Sequence, residues 1–280
     1  MIKKPSFLCV ALGLGLLTAM AGFSRAASAR HLPHGGTVLL LGDSIFDLHT
    51  GDKRIEAVMK RMLEEREPGA RWAIYNEAYG GEYIGPTEGN PEGVSVPLFT
   101  TKTSGPYFEI VRRHPKADAV IVNYGANDSK VYPPATFRKH LETLANFLEK
   151  DYPGAILIFC TTMYVDPNHS APYTRDNPMA PGFRNGESRN AYLEPYNQEI
   201  RRFTAEHGYG LADTFRNIKA QTQKGNWDLR LRADEGNPKD DPKHKGDMKW
   251  FDNIHPNDKG TMVITKSLVD LLVGPRTAAH

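Results

Sequence analysis

Cysteine is nearly absent: the 280 residues hold two, Cys9 and Cys160. Cys9 lies in the apolar N-terminal run, so removal of that segment leaves Cys160 alone and excludes an intrachain disulfide. A chain of this length can bury a substantial single core without one. Cys160 ends the run Ala155-Ile-Leu-Ile-Phe and reads as a small core residue. An excess of one charge is also missing, since 35 Lys and Arg face 33 Asp and Glu. The first 29 residues carry Lys3, Lys4 and Arg25 and no acids, so the remainder has 32 basic and 33 acidic residues, a net of −1. Nothing in that balance points to nucleic acid. No Gly-x-Ser-x-Gly elbow occurs, which argues against the α/β-hydrolase fold, and no internal repeat is evident.

Long apolar runs are confined to the N-terminus. Lys3 and Lys4 precede an apolar stretch from about Phe7 to Ala21, and Ala27-Ser28-Ala29 offers the small residues a cleavage enzyme needs. Residues 1–29 therefore read as a secretory signal, with 30–280 as one exported domain and no stable membrane insertion after cleavage. An uncleaved anchor is the alternative, disfavoured by the shortness of the run and its glycines.

Apolar segments then alternate with amphipathic ones. Val38 to Leu41 is too short for a helix and reads as a strand buried on both faces. Further strands are expected at Arg71–Asn76, Ala117–Asn123, Ala155–Cys160 and Tyr209–Ala212. Between them, helical spacing links Ile55, Val58, Met59, Met62 and Leu63, then Phe137, Leu141, Leu144, Ala145 and Leu148. A short helix is expected from Tyr107 to Arg113, another with Pro195 in its first turn, and a last one after Pro256. The alternation implies right-handed βαβ crossovers and a three-layer α/β/α sandwich around a mostly parallel five-stranded sheet, flavodoxin-like in type. Long polar loops are expected at 82–105, 166–189 and 214–250.

The chemistry converges on Gly42-Asp43-Ser44. An α/β sheet binds ligands beyond the carboxyl ends of its strands, which is where Ser44 falls. Asp43 or Ser44 could instead simply cap the next segment. A serine nucleophile needs a base and a group that orients the base, and Asp252-Asn-Ile-His255-Pro supplies both. Pro256 pushes His255 away from helical geometry, so the pair belongs on a loop. A metal site, with Asp47 and His49 as further ligands, is the rival for an Asp/His pair; it lacks His-Glu-x-x-His and a cysteine cluster, and leaves Gly-Asp-Ser without a role. His49, His169 and His244 sit in polar loops with no assigned chemistry, and Tyr79, Tyr83 and Tyr124 either line a sugar cleft or pack beside strand ends.

Four blocks in order, Gly42-Asp-Ser44, Asn76-Glu-Ala-Tyr-Gly-Gly81-Glu, Gly125-Ala-Asn127-Asp and Asp252-Asn-Ile-His255-Pro, resemble the SGNH (GDSL-type) hydrolase family. The resemblance runs from about Thr37 to the C-terminal helix. It implies Ser44 as nucleophile, His255 as base and Asp252 as its partner. It also implies an oxyanion hole of the Ser44 and Gly81 backbone N–H groups and the Asn127 side-chain amide. Gly81 could instead be an ordinary tight turn, and Asn127 a turn residue or a glycosylation acceptor in Asn127-Asp-Ser129. The expected activity is that of an exported serine esterase removing a small acyl group, such as O-acetyl on a carbohydrate, without metal or cofactor. A lysophospholipase, a thioesterase, an acyltransferase and a silent carbohydrate-binding protein are the alternatives.

Overall fold

The computed structural model describes residues 31–32, 34–47, 51–86, 96–165, 186–224, 231–232, 251–252 and 254–275. Residues 1–29, read above as a secretory signal, and the loop residues His49, His169 and His244 lie outside them. The chain opens with β1 (Gly35–Gly42), the one-turn α1 (Ser44–Asp47), a 3-10 turn (Gly51–Lys53), α2 (Ile55–Arg66) and β2 (Arg71–Asn76). It continues through α3 (Pro106–Arg113), β3 (Ala119–Asn123), α4 (Asp128–Val131), α5 (Pro134–Asp151) and β4 (Ile156–Cys160). After these come α6 (Gly186–His207), β5 (Gly210–Ala212), α7 (Thr214–Lys224), β6 (Leu231–Arg232), β7 (Phe251–Asp252) and α8 (Asp258–Val273).

The five main strands lie in the order β2-β1-β3-β4-β5, and every neighbouring pair is parallel. This is the flavodoxin-like order, in which the crevice opens between β1 and β3. Val38, Leu39, Leu40 and Leu41 are all fully buried, as expected for a strand covered on both faces. Val38 and Leu40 pack in the layer that holds Met59 and Leu63 of α2, Ile218 of α7 and Leu268 of α8. Leu39 and Leu41 face the opposite layer, with Ile110 of α3, Phe137 and Leu144 of α5 and Phe203 of α6. Burying each such side chain stabilises the fold by about 1.5–3 kcal/mol. The two layers clamp β1 from either side, so its exit at Gly42 is a rigid platform. Among the described residues no helix is long and apolar enough to cross a membrane.

Three loop expectations need correction. Helix α6 begins at Gly186, inside the loop expected over 166–189, and Pro195 lies in its interior rather than its first turn. The early turns are anchored by polar contacts that apolar periodicity does not register. Asn190 donates from Nδ2 to Val165 O (2.8 Å) and accepts the Val165 N–H at Oδ1 (3.1 Å), while Asn197 Oδ1 accepts the Thr162 N–H (2.8 Å). The loop expected over 214–250 likewise begins with α7, where Phe215 and Ile218 are buried, and β6 and β7 pair antiparallel within and just beyond it. The described residues of the segment 82–105 hold no long helix or strand, yet Ile84, Leu98 and Phe99 are core residues rather than surface ones. The bridge between Tyr83 and Pro97 draws its described ends together.

Candidate active site

Four chain segments meet at the carboxyl ends of β1 and β3. Gly42 is the last residue of β1 and lies opposite Asn123 in the parallel register. A Cβ at Gly42 would stand 3.0 Å from Asn123 O, so a side chain here would crowd the two strands where they leave the sheet side by side. Asp43 then turns the chain: its Oδ1 accepts the Ile45 N–H (3.0 Å) and its carbonyl accepts the Phe46 and Asp47 N–H groups. Ser44 is thereby presented at the start of α1.

The second segment, 76–82, docks onto this turn through the backbone. Gly42 O accepts the Tyr79 N–H (2.9 Å) and Asp47 Oδ2 accepts the Gly80 N–H (2.9 Å). Asn76 ties the segment down, donating from Nδ2 to Phe46 O (2.8 Å) and accepting the Ala78 N–H. Gly81 has φ +85°, a left-handed conformation that disfavours any side chain. Asp47 thus holds a backbone amide of this loop.

The third segment follows β3. Gly125, at φ +125°, opens the turn that leads to Asn127 and the one-turn α4. Asp128 is fully buried and ties the backbone just beyond the second segment to the third, accepting the Ile84 N–H (2.9 Å) and the Gly125 N–H (3.0 Å). Asn127 sits at the N-cap position of α4 but makes no capping bond. Its Nδ2 donates to Glu82 O (3.1 Å), and its Oδ1 accepts from Lys130 Nζ (3.1 Å). With only 7% of its surface exposed, Asn127 is closed to glycosylation in the folded protein.

The fourth segment brings His255 from 211 residues away: Nε2 lies 2.7 Å from Ser44 Oγ. For the hydroxyl to donate, the ring proton must be on Nδ1, which turns the unprotonated nitrogen toward the serine. Pro256 and the cap of α8 hold this loop, with Asn257 Oδ1 accepting the Gly260 N–H (3.1 Å). Asp252 lies three residues before His255, in β7, with its backbone paired to Leu231. Its side chain lies outside the described residues. Of the three tyrosines, Tyr124 and Tyr83 are buried at 2% and only Tyr79, at 54%, faces solvent.

Behind the site lies a set of buried carboxyls whose importance the motif blocks did not reveal. Burial pushes Glu82 up to about 8, only partly offset by the hydroxyl that Tyr124 donates to it. Burial likewise raises Asp128 to about 7 and Asp43 to about 6, the latter partly offset by the Ile45 N–H, His255, Lys130 and Arg189. The available signal was an acid directly beside a glycine or asparagine of the site, in Gly81-Glu82 and Asn127-Asp128. Lys130 was missed as well, although its i,i+3 spacing from Asn127 was legible.

The shifts predict a pH dependence of stability. Glu82 holds its proton to a higher pH folded than unfolded, so its contribution is complete below the ordinary carboxylate range and is lost as pH rises through about 8. Asp128 and Asp43 act in the same direction at lower pH. The melting temperature should therefore fall between about pH 4 and pH 8. Glu82→Gln, neutral throughout, should flatten that fall in thermal melts, and an unchanged slope would mean that Glu82 is ionised in the fold.

The sequence matches the GDSL-like lipase/acylhydrolase family over residues 40–263. No curated protein sequence matches it. Among solved structures it is similar to the lipase/acylhydrolase from Enterococcus faecalis, at 20% identity over 83% of this chain and 93% of that one, with a TM-score of 0.52. An acetylxylan esterase from Geobacillus stearothermophilus shares 14% identity over 86% and 96% of the two chains, TM-score 0.53. The acetyl xylan esterase AlAXEase shares 16% over 85% and 100%, TM-score 0.54. At such identities these structures speak for the fold, whereas the family match covers most of the chain and all four segments of the site. The chain thus belongs to the GDSL-like lipase/acylhydrolase family and is a carboxylic ester hydrolase.

Proposed function

We propose that the protein is an exported serine esterase that removes a small acyl group, O-acetyl, from a carbohydrate. The observation that carries the mechanism is the 2.7 Å approach of His255 Nε2 to Ser44 Oγ. In this reading His255 takes the hydroxyl proton as Ser44 Oγ attacks the ester carbonyl. The Ser44 and Gly81 N–H groups and the Asn127 amide stabilise the oxyanion. His255 then gives the proton to the leaving sugar oxygen, leaving an acyl-Ser44. Water repeats the sequence: it loses a proton to His255, attacks the acyl carbon and releases acetate as the proton returns to Ser44. Asp252 accepts the Nδ1–H and stabilises the ring when it is charged. None of these steps calls for a metal or cofactor.

The left-handed Gly81 supports the oxyanion role, because a bare backbone lets substrate approach its N–H. Tyr79, exposed two residues away, offers an aromatic face to a sugar ring. Two of the similar structures are acetylxylan esterases, which favours acetylated glycan over lipid as substrate class. The basic, apolar start of the chain supports cleavage after about residue 29, with 30–280 as the working domain.

The test is a screen of acid release, reading acetate from acetylated xylo-oligosaccharides and fatty acid from lysophospholipids, alongside chromogenic esters of increasing acyl length. Acetyl esters should be turned over fastest, with at least a tenfold fall by the octanoyl ester. A preference for long acyl chains or for lysophospholipid would overturn the carbohydrate assignment. The intact mass of exported protein, expected to start near residue 30, tests the signal.

A further inference from the structure

We infer that Lys130 is a positioning residue of the oxyanion hole, locking the Asn127 amide in the one orientation that turns an N–H toward the substrate. The inference rests on the role proposed for Asn127 above. A carboxamide has two faces of opposite chemistry, and a 180° turn about its last bond exchanges donor for acceptor with almost no change of shape. An asparagine in an oxyanion hole is useful only one way round. Turned over, it would present oxygen to a developing negative charge.

Two contacts choose between these states here. Lys130 Nζ donates to Oδ1 at 3.1 Å, and Nδ2 donates to Glu82 O at 3.1 Å. Turning the amide would face –NH2 to an ammonium, which has only donors, and set Oδ1 against a carbonyl oxygen, so both contacts would become repulsive. The Glu82 contact uses one of the two N–H bonds of Nδ2 and leaves the other for substrate. Burial of Asn127 strengthens the preference, because little water is present to satisfy the wrong orientation.

Lys130 is itself fixed from below. It sits one turn after Asn127 in α4, with its N–H donating to Asn127 O (3.0 Å), so both ends of the pair belong to the same rigid turn. Burial, followed by Arg189, pulls its ammonium down to about 8, and Asp43 opposes that shift, so it carries its charge at neutral pH. The charge does a second thing: an ammonium on Oδ1 polarises the amide and strengthens its N–H as a donor. Neither effect requires Lys130 to touch the substrate.

The test is a double-mutant cycle of Lys130→Met and Asn127→Ala, with kcat, KM and melting temperature measured on an acetyl ester. Lys130→Met should lower kcat about tenfold with KM within about twofold, less than the 10²–10³-fold typical of losing a donor outright. Lys130→Arg, which keeps the charge and the donors, should recover most of that loss. In the Asn127→Ala background Lys130→Met should have no further effect on kcat, because nothing is left to orient. A full additional loss there, or a change confined to KM, would make Lys130 a substrate contact and overturn the inference. Normal kcat in a folded Lys130→Met beside a defective Asn127→Ala sinks this inference alone, whereas normal kcat in both variants removes the Asn127 role with it. Should Lys130→Met fail to fold, Lys130→Ala, which likewise removes both the donor and the charge, takes its place in the cycle with the same expected outcomes.

Discussion

Ser44→Ala should abolish ester turnover while leaving the fold in place. The Ser44 hydroxyl bonds to a half-buried His255 at the rim of the sheet and packs in neither layer of the core. Removing it should therefore move the melting temperature by no more than a few degrees. The loss in kcat should be about 10⁴–10⁶-fold, because binding and oxyanion stabilisation survive the loss of the nucleophile while the acyl-enzyme route does not. An electrophilic serine probe should label the wild-type protein at Ser44 and leave the mutant unlabelled. Undiminished turnover in Ser44→Ala would remove the proposed mechanism.

Asn127→Ala carries the second large effect. An amide donating to the oxyanion acts chiefly in the transition state, so kcat should fall about 10²–10³-fold, roughly 3–4 kcal/mol of barrier, with little change in KM. Stability should fall as well. The mutation leaves Glu82 O and the Lys130 ammonium short of a partner in a buried setting, at a cost of about 1–3 kcal/mol. In a domain of this size that corresponds to a drop of several degrees in melting temperature. A lower melting temperature alone would thus fit a purely structural asparagine too, and the decisive measurement is kcat of the folded fraction. If that is normal, Asn127 leaves the site.

Local sequence settled the parts of this protein that depend on local physics. Val38 to Leu41 is a strand because four consecutive apolar residues between turn formers need cover on both faces, and they are fully buried. The stripe from Phe137 to Leu148 makes α5 for the same kind of reason, since a 3.6-residue period places one face on the sheet. The four motif blocks were legible because each is a short run of turn residues and reactive side chains, three of them at the end of an apolar strand. Where anchoring is polar, that signal fails: the start of α6 falls in a segment without apolar periodicity and is held by Asn190.

What only the tertiary structure decided is which of these ends meet, and in which orientation. The order β2-β1-β3-β4-β5 puts the exits of β1 and β3 side by side, although three α-helices and a whole strand separate them in sequence. The distance from Ser44 to His255 depends on where α8 packs, against α2 and α7 beneath the sheet, and no feature of either motif encodes that. The elevated proton affinities of Glu82, Asp128 and Asp43 arise from burial, a property of everything packed around them. The same holds for the Asn127 amide, whose useful face is chosen by an ammonium one turn along α4 and a carbonyl 45 residues back in the chain. Composition and spacing name the reacting groups because bonding chemistry is local, whereas distance, burial and orientation are properties of the packed whole.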